Sequence, residues 1–323
     1  MKNRVCEILG IEKPVISGAM VWLNDAKQVA AMAEAGGAGV LGLNAGAFEL
    51  TADPIETRER LRAEIKKVRE LTDKPFGVNF FLAPEMDEFS KGTFEVILEE
   101  KVPFIVAIPI APEVNMDVVN QIKASGTKIV YRHMSPTVEN MTAAEEYADV
   151  LICTGAEGGG HNSDYNTSLI SIFPSIRKAV KAPLMAAGGI CEELGAKAVA
   201  AMGAEGVYAG TRFLATEESR MHPAAKQKLI EAKAIDLIKI PSMPGYLHLL
   251  PNAMGKTLEK MFLEGATGPE INKYYMDRGG FRTAMLKGDI ENGILNFSEG
   301  VDIITEIKTC KEVIDELAAP FVG

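Results

Sequence analysis

The run Asp149-Val150-Leu151-Ile152-Cys153-Thr154-Gly155-Ala156-Glu157-Gly158-Gly159-Gly160-His161 decides how this chain is read. Its first part is apolar without alternation, as in a strand buried on both faces. It feeds a glycine-rich bend that ends on one of only four histidines. Consecutive glycines let the backbone reach positive φ and let a flat ligand approach closely. A histidine at the far end can hold a proton or a hydrogen bond near neutral pH. Taken alone, the stretch is equally a surface loop that carries a histidine.

Outward from it, the same rhythm repeats in both directions. Apolar runs at Pro14–Met20, Gly39–Asn44, Phe76–Leu82, Phe104–Ile110, Lys128–His133, Asp149–Thr154, Pro183–Ala187 and Gly206–Gly210 read as strands. Amphipathic segments near Asp25–Ala35, Thr93–Glu100, Val114–Ala124, Ser168–Val180 and Glu192–Met202 read as helices between them. Asp53-Pro54 opens another, because Asp can cap and Pro fits the first helical position. That helix carries Leu61, Ile65, Val68 and Leu71 on one face. Eight such units in about 215 residues predict a closed (β/α)8 TIM barrel in the α/β class. A doubly wound sheet is the main rival, since the pattern does not reveal closure.

After Phe213 the rhythm breaks. Helical stretches follow near Met221–Ala234, Lys256–Gly265, Pro269–Arg278 and Thr309–Ala318, with an irregular Ile240–Gly245 between them. The expected division is a barrel over 1–216, a mostly helical elaboration over 217–300, and a C-terminal helix over 301–323 that returns to the barrel wall.

Composition narrows the function classes. The 323 residues are 47% hydrophobic and 24% charged, ordinary for a globular protein that buries a sizeable core. A net charge of −10 argues against nucleic acid or an anionic membrane as the main partner. Cys6, Cys153, Cys191 and Cys310 show neither a paired framework nor metal-ligand spacing, so no metal is expected. The N-terminus has no long apolar stretch of a signal peptide, and no 18-residue uncharged apolar run occurs. A cytoplasmic protein with small-molecule partners is the expectation, with homodimer formation left open.

If the fold is a barrel, the ends of its strands carry the chemistry. Those ends collect small residues and amides: Gly18-Ala19-Met20, Asn44, Asn79, Gly188-Gly189 and Gly210-Thr211. Gly188, Gly189, Gly210 and Thr211 would offer backbone N–H groups and a hydroxyl where barrels often hold a ligand's phosphate. Tight turns alone would also explain these glycines. Asn79 either satisfies nearby backbone or meets a polar heterocycle. His133 ends the fifth strand, and His248 lies in an irregular Pro244–Pro251 segment that a lid could bring near the site.

Ordered motifs along residues 1–220 give the chain a family likeness: PVISGAM (14–20), AEAGGAGVLG (33–42), TDKPFGVN (72–79), GAEGGGH (155–161), APLMAAGGI (182–190) and GAEGVYAGTRF (203–213). A weaker match returns in GGFRTAMLKGDIENG (279–293). The chain resembles the nitronate monooxygenase (2-nitropropane dioxygenase) family, which includes the flavin-dependent enoyl-acyl-carrier-protein reductase II enzymes. The resemblance implies an FMN-binding barrel with NAD(P)H as reductant. By it, Gly18, Ala19 and Met20 line the flavin, Asn79 lies near the ring system, and Gly188, Gly189, Gly210 and Thr211 hold the phosphate. His161 matches the family's active-site histidine.

The chain departs from that pattern on the substrate side. His161 is followed by Asn162-Ser163-Asp164-Tyr165 rather than an apolar residue and glycine, and Tyr131-Arg132-His133-Met134 replaces an apolar Val-Pro type stretch. Asn296-Phe297-Ser298-Glu299-Gly300 stands where the relatives have Ala-Gly-Gln. A more polar substrate pocket with Arg132, His133, Asn162 and Tyr165 is the resulting expectation. Reduction of an activated double bond, such as an enoyl thioester, leads the functional readings. Oxidation of alkyl nitronates with dioxygen, a flavin-binding protein with no substrate of its own, and a non-flavin phosphosugar barrel remain open beside it.

Overall fold

The structure is a computed structural model and describes residues 3–243 and 245–322. In chain order, the barrel part contains α1 (Arg4–Leu9), β1 (Val15–Ser17), α2 (Ala26–Glu34), β2 (Val40–Leu41), α3 (Pro54–Leu71), β3 (Gly77–Leu82), α4 (Glu88–Glu99) and β4 (Phe104–Pro109). It continues through α5 (Met116–Ala124), β5 (Lys128–His133), α6 (Val138–Ala144), β6 (Val150–Thr154), α7 (Leu169–Ala179), β7 (Leu184–Ala187), α8 (Glu193–Ala201), β8 (Val207–Ala209) and the short α9 (Thr211–Leu214). The eight strands are parallel neighbours in the order β1-β8-β7-β6-β5-β4-β3-β2. A parallel bridge between Ile16 and Ala38 links the two ends, so the sheet closes and the open-sheet rival falls away.

Period-two alternation sorts each strand between two cores. Ile16, Val40, Phe104, Val106, Val130, Val150, Ile152 and Met185 fill the barrel interior together with Val5 and Leu9 of α1, a helix the sequence pattern did not disclose. The opposite faces, with Val78, Phe80, Ile105, Leu151 and Leu184, pack under the helix layer. Asp53 caps α3 through the Ile55 N–H, with Pro54 in the first turn as the sequence suggests. Helix α4 starts at Glu88, ahead of the expected Thr93, because the Asp87 side chain accepts the Ser90 N–H at 2.7 Å. The seven-residue α6 was not foreseen either; it is held by a reciprocal cap between Thr137 and Asn140.

Beyond the barrel come α10 (Pro223–Glu231), β9 (Ile238–Pro241), β10 (Tyr246–Leu249), α11 (Ala253–Leu263), α12 (Gly268–Met276) and α13 (Cys310–Ala318). The expectation of an irregular segment at Ile240–Gly245 is corrected: β9 and β10 form an antiparallel hairpin in which Leu247 faces Ile240 and Leu249 faces Ile238. Pro244 lies outside the described residues. The hairpin was hidden because its strands are four residues long and their apolar residues pack on helices from elsewhere, namely Met254, Leu258, Ile271 and Tyr275. Helix α13 packs against α2 and α8, in the wall position that would follow β8.

Candidate active site

The barrel's C-terminal mouth opens into a cavity of about 250 Å³. Its floor is the last inward-facing layer of the strands, with Gly18, Asn79, Ile108, Arg132, Thr154, Ala187 and Tyr208. The loops after β1, β6, β7 and β8 add Ala19, Met20, Gly158 to His161, Gly188, Gly189, Gly210 and Thr211. Phe281, Met285, Asn296 and Ser298 of the elaboration complete the walls.

The bend between β6 and α7 is built from both sides. Glu157 turns back so that its carboxylate accepts the Leu169 N–H at 3.0 Å, supplying the cap that Ser168 does not give α7. Gly160 has φ +75, a left-handed conformation that side chains disfavour. Asn296 fixes that residue by accepting its N–H at 2.7 Å and donating to its carbonyl at 3.3 Å. The Asn162 N–H donates to the Tyr246 carbonyl of β10 at 2.8 Å, and the Asn162 amide donates to the Gly158 carbonyl at 2.8 Å. His161 is thereby presented to the cavity. Burial, and then the charge of Arg132, push its pKa down to about 4, so the imidazole is neutral at physiological pH. Burial pushes the Cys191 thiol up to about 12, so this cavity residue offers no thiolate.

Of the residues singled out in the sequence, Gly18, Ala19, Met20, Asn79, Gly188, Gly189, Gly210, Thr211, Arg132 and His161 line the cavity. Four others do not. His133 follows Arg132 on β5 and so faces the opposite way; its Nδ1 accepts the Ser135 N–H at 3.0 Å. Tyr165 is 64% exposed and lies outside the lining. Asn162 and His248 are buried behind the glycine loop, where His248 Nδ1 sits 3.0 Å from the Gly158 carbonyl oxygen. The irregular lid expected around His248 is strand β10. The polar pocket expected from Arg132, His133, Asn162 and Tyr165 is therefore corrected to a single arginine beside apolar walls of Met20, Phe81, Ile108, Leu214, Phe281 and Met285.

The residue pattern gave no notice of Thr154, Tyr208 or Asn296 as cavity groups. The Tyr208 hydroxyl accepts the Ala19 N–H at 3.1 Å and fixes the loop after β1. For Asn296 there was a signal, since its segment departs from the relatives, but its contact with Gly160 spans 136 positions.

These residues fit a flavin mononucleotide. The buried Thr154 hydroxyl oxygen has no hydrogen-bond partner and belongs to the cavity lining. Gly210 has nothing within 4 Å of where a Cβ would stand, leaving open space above the loop after β8. The single turn α9 follows Gly210 as its N-cap, and the N–H groups of Thr211 and Arg212 have no capping side chain. Among the described residues the lining contains no Asp or Glu to repel an anion.

A sequence model of the family described as nitronate monooxygenase matches residues 2–319. The chain is 29% identical to a Mycobacterium tuberculosis protein named (3aS,4S,5R,7aS)-5-hydroxy-7a-methyl-1-oxo-octahydro-1H-indene-4-carboxyl-CoA dehydrogenase, over 98% of this chain and 95% of that one. It is 28% identical to a probable nitronate monooxygenase of Staphylococcus haemolyticus, over 73% of this chain and 74% of the relative. Among solved structures, FabK from Thermotoga maritima superposes with a TM-score of 0.85 at 30% identity, covering 99% of this chain and 96% of that one. With the barrel, the glycine-lined mouth and a match along nearly its whole length, the chain belongs to the nitronate monooxygenase family of oxidoreductases, whose members are in general FMN-dependent.

Proposed function

We propose that the protein is an FMN-dependent reductase that uses NAD(P)H to saturate an activated double bond, of the enoyl-thioester kind. The observation that carries this reading is the state of His161: neutral, desolvated and turned into a cavity with apolar walls. A base whose pKa lies near 4 removes a proton from a neutral nitroalkane poorly at neutral pH, which weakens that substrate. An alkyl nitronate already lacks the proton and is separated from the enoyl reading by redox kinetics. A neutral imidazole N–H is well suited to donate a hydrogen bond to a thioester carbonyl as negative charge builds there. Met20, Phe81, Ile108, Phe281 and Met285 supply a wall against which an acyl group can lie. When bound, FMN supplies the redox chemistry, while the protein contributes orientation, exclusion of water and electrostatics. Gly188, Gly189, Gly210 and Thr211 would hold its phosphate, with Gly18, Ala19, Met20 and Asn79 along the ring.

Anaerobic stopped-flow mixing tests the reading. Enzyme reduced with NADH or NADPH should be reoxidised faster by a short enoyl thioester than by air-saturated buffer, and the oxidised enzyme should not be reduced by an alkyl nitronate. Reduction of the oxidised flavin by an alkyl nitronate, followed by reoxidation with dioxygen, would assign the second reading instead.

A further inference from the structure

Every side chain lining the cavity is uncharged at neutral pH except one. Arg132 is the only Lys, Arg, Asp or Glu among the described lining residues. Its direction follows from β5: Val130 packs in the barrel interior and Tyr131 under the helix layer, so Arg132 projects inward, one layer nearer the mouth than Val130. Its guanidinium carbon lies 5.7 Å from the centroid of the Tyr208 ring, on the far wall from β5. Its Nε is buried and has no hydrogen-bond partner. The half-buried guanidinium thus keeps one buried N–H without a partner and has no carboxylate beside it in the described lining, so it is left to pair with an anion that enters the cavity. On the flavin reading, the phosphate of FMN would find backbone donors at the loops after β7 and β8. What remains for Arg132 is negative charge that arises inside the cavity.

We propose that Arg132 sets the redox balance of the bound flavin, favouring the reduced ring over the oxidised one and so raising the cofactor's midpoint potential. The proposal rests on the FMN reading given above. Hydride transfer would bring two electrons and one proton from NAD(P)H, release NAD(P)+, and add one negative charge that Arg132 would face. Arg132 makes and breaks no bond in this step and keeps its proton. It acts through charge across a desolvated space, where such interactions are strong. A positive charge near the flavin nitrogens is one of the levers by which proteins tune this cofactor.

The test measures affinity of the wild-type protein for oxidised and for reduced FMN, together with the midpoint potential against a reference dye. Reduced FMN should bind about tenfold or more tightly than oxidised FMN, equivalent to a potential about 30 mV above that of free FMN. Arg132→Met should lose that preference, and Arg132→Lys should keep most of it. Sulfite, whose addition leaves negative charge on the flavin, should bind about tenfold more weakly to Arg132→Met than to wild type. Equal wild-type affinity for the two redox states overturns the proposal without any variant. So does an Arg132→Met protein with unchanged potential and sulfite affinity; if its KM for an enoyl thioester rises instead, the arginine serves the substrate. A wild-type protein that binds FMN in neither state overturns the flavin reading itself, an outcome distinct from a yellow protein of unshifted potential.

Discussion

At His161, burial and the nearby Arg132 both disfavour the imidazolium, holding the pKa at about 4 against an ordinary 6.5. In the ligand-free protein the unfolded chain therefore takes up a proton that the folded one refuses between those two values. Stability should fall as pH drops from 6.5 toward 4, and this residue should add no slope above 6.5. Melting curves of wild type and His161→Gln across that window check it; parallel pH profiles would refute the assignment. His161→Ala should lower turnover by about 10²–10⁴-fold with FMN still bound, because the phosphate loops lie elsewhere. Gly210 separates ligand contact from fold. Its φ of −107 suits any residue and an added Cβ meets nothing within 4 Å. Gly210→Ala should leave apo-protein stability within about 0.5 kcal/mol. A methyl pressed against the ligand costs about 1–3 kcal/mol, so FMN affinity should drop about ten- to a hundredfold in a fluorescence titration.

The elements that place His161 come from two distant parts of the chain. The bend after β6 is local, but its geometry is held by β10 through Asn162 and by Asn296 through Gly160. Asn296→Ala would remove the side-chain partner of the Gly160 N–H, on an exposed residue that water can reach, at a cost of about 0.5–1.5 kcal/mol. Hydrogen exchange of the 155–162 backbone should quicken and turnover should fall; unchanged exchange there would show that the clamp is not needed. Gly245 tests the hairpin's contact with the same loop. It has φ +64, and a Cβ there would overlap the Asn162 carbonyl oxygen. Gly245→Ala should lower the melting temperature and loosen the loop together. At this scale the sequence was only partly legible. Asp53-Pro54 and the apolar face of α3 announced a helix because both are local signals. Helix α6 escaped because its cap pairs Thr137 with Asn140 rather than with Glu or Gln, and the hairpin because its apolar residues pack on α11 and α12.

For the molecule as a whole, ligand binding and folding are linked. FMN at a hundredfold excess over its Kd should stabilise the protein by about 2.7 kcal/mol, and riboflavin, which lacks the phosphate, should raise the melting temperature less. Equal shifts would remove the phosphate from the account of the loops after β7 and β8. The sequence by itself determined the eight strand–helix units and the glycines at their ends, since strand runs buried on both faces, caps and turn glycines are written in adjacent residues. Closure into a barrel rests on the bridge between Ile16 and Ala38. Period two along β5 even contained the choice between Arg132 and His133, once Val130 was known to face inward. Only the tertiary structure decided that Asn162 and His248 stand behind the glycine loop, that Tyr165 is exposed, and that Asn296 grips Gly160. The physical reason is range: φ and ψ preferences act between neighbours, whereas these positions depend on packing between surfaces that no short stretch of the chain contains.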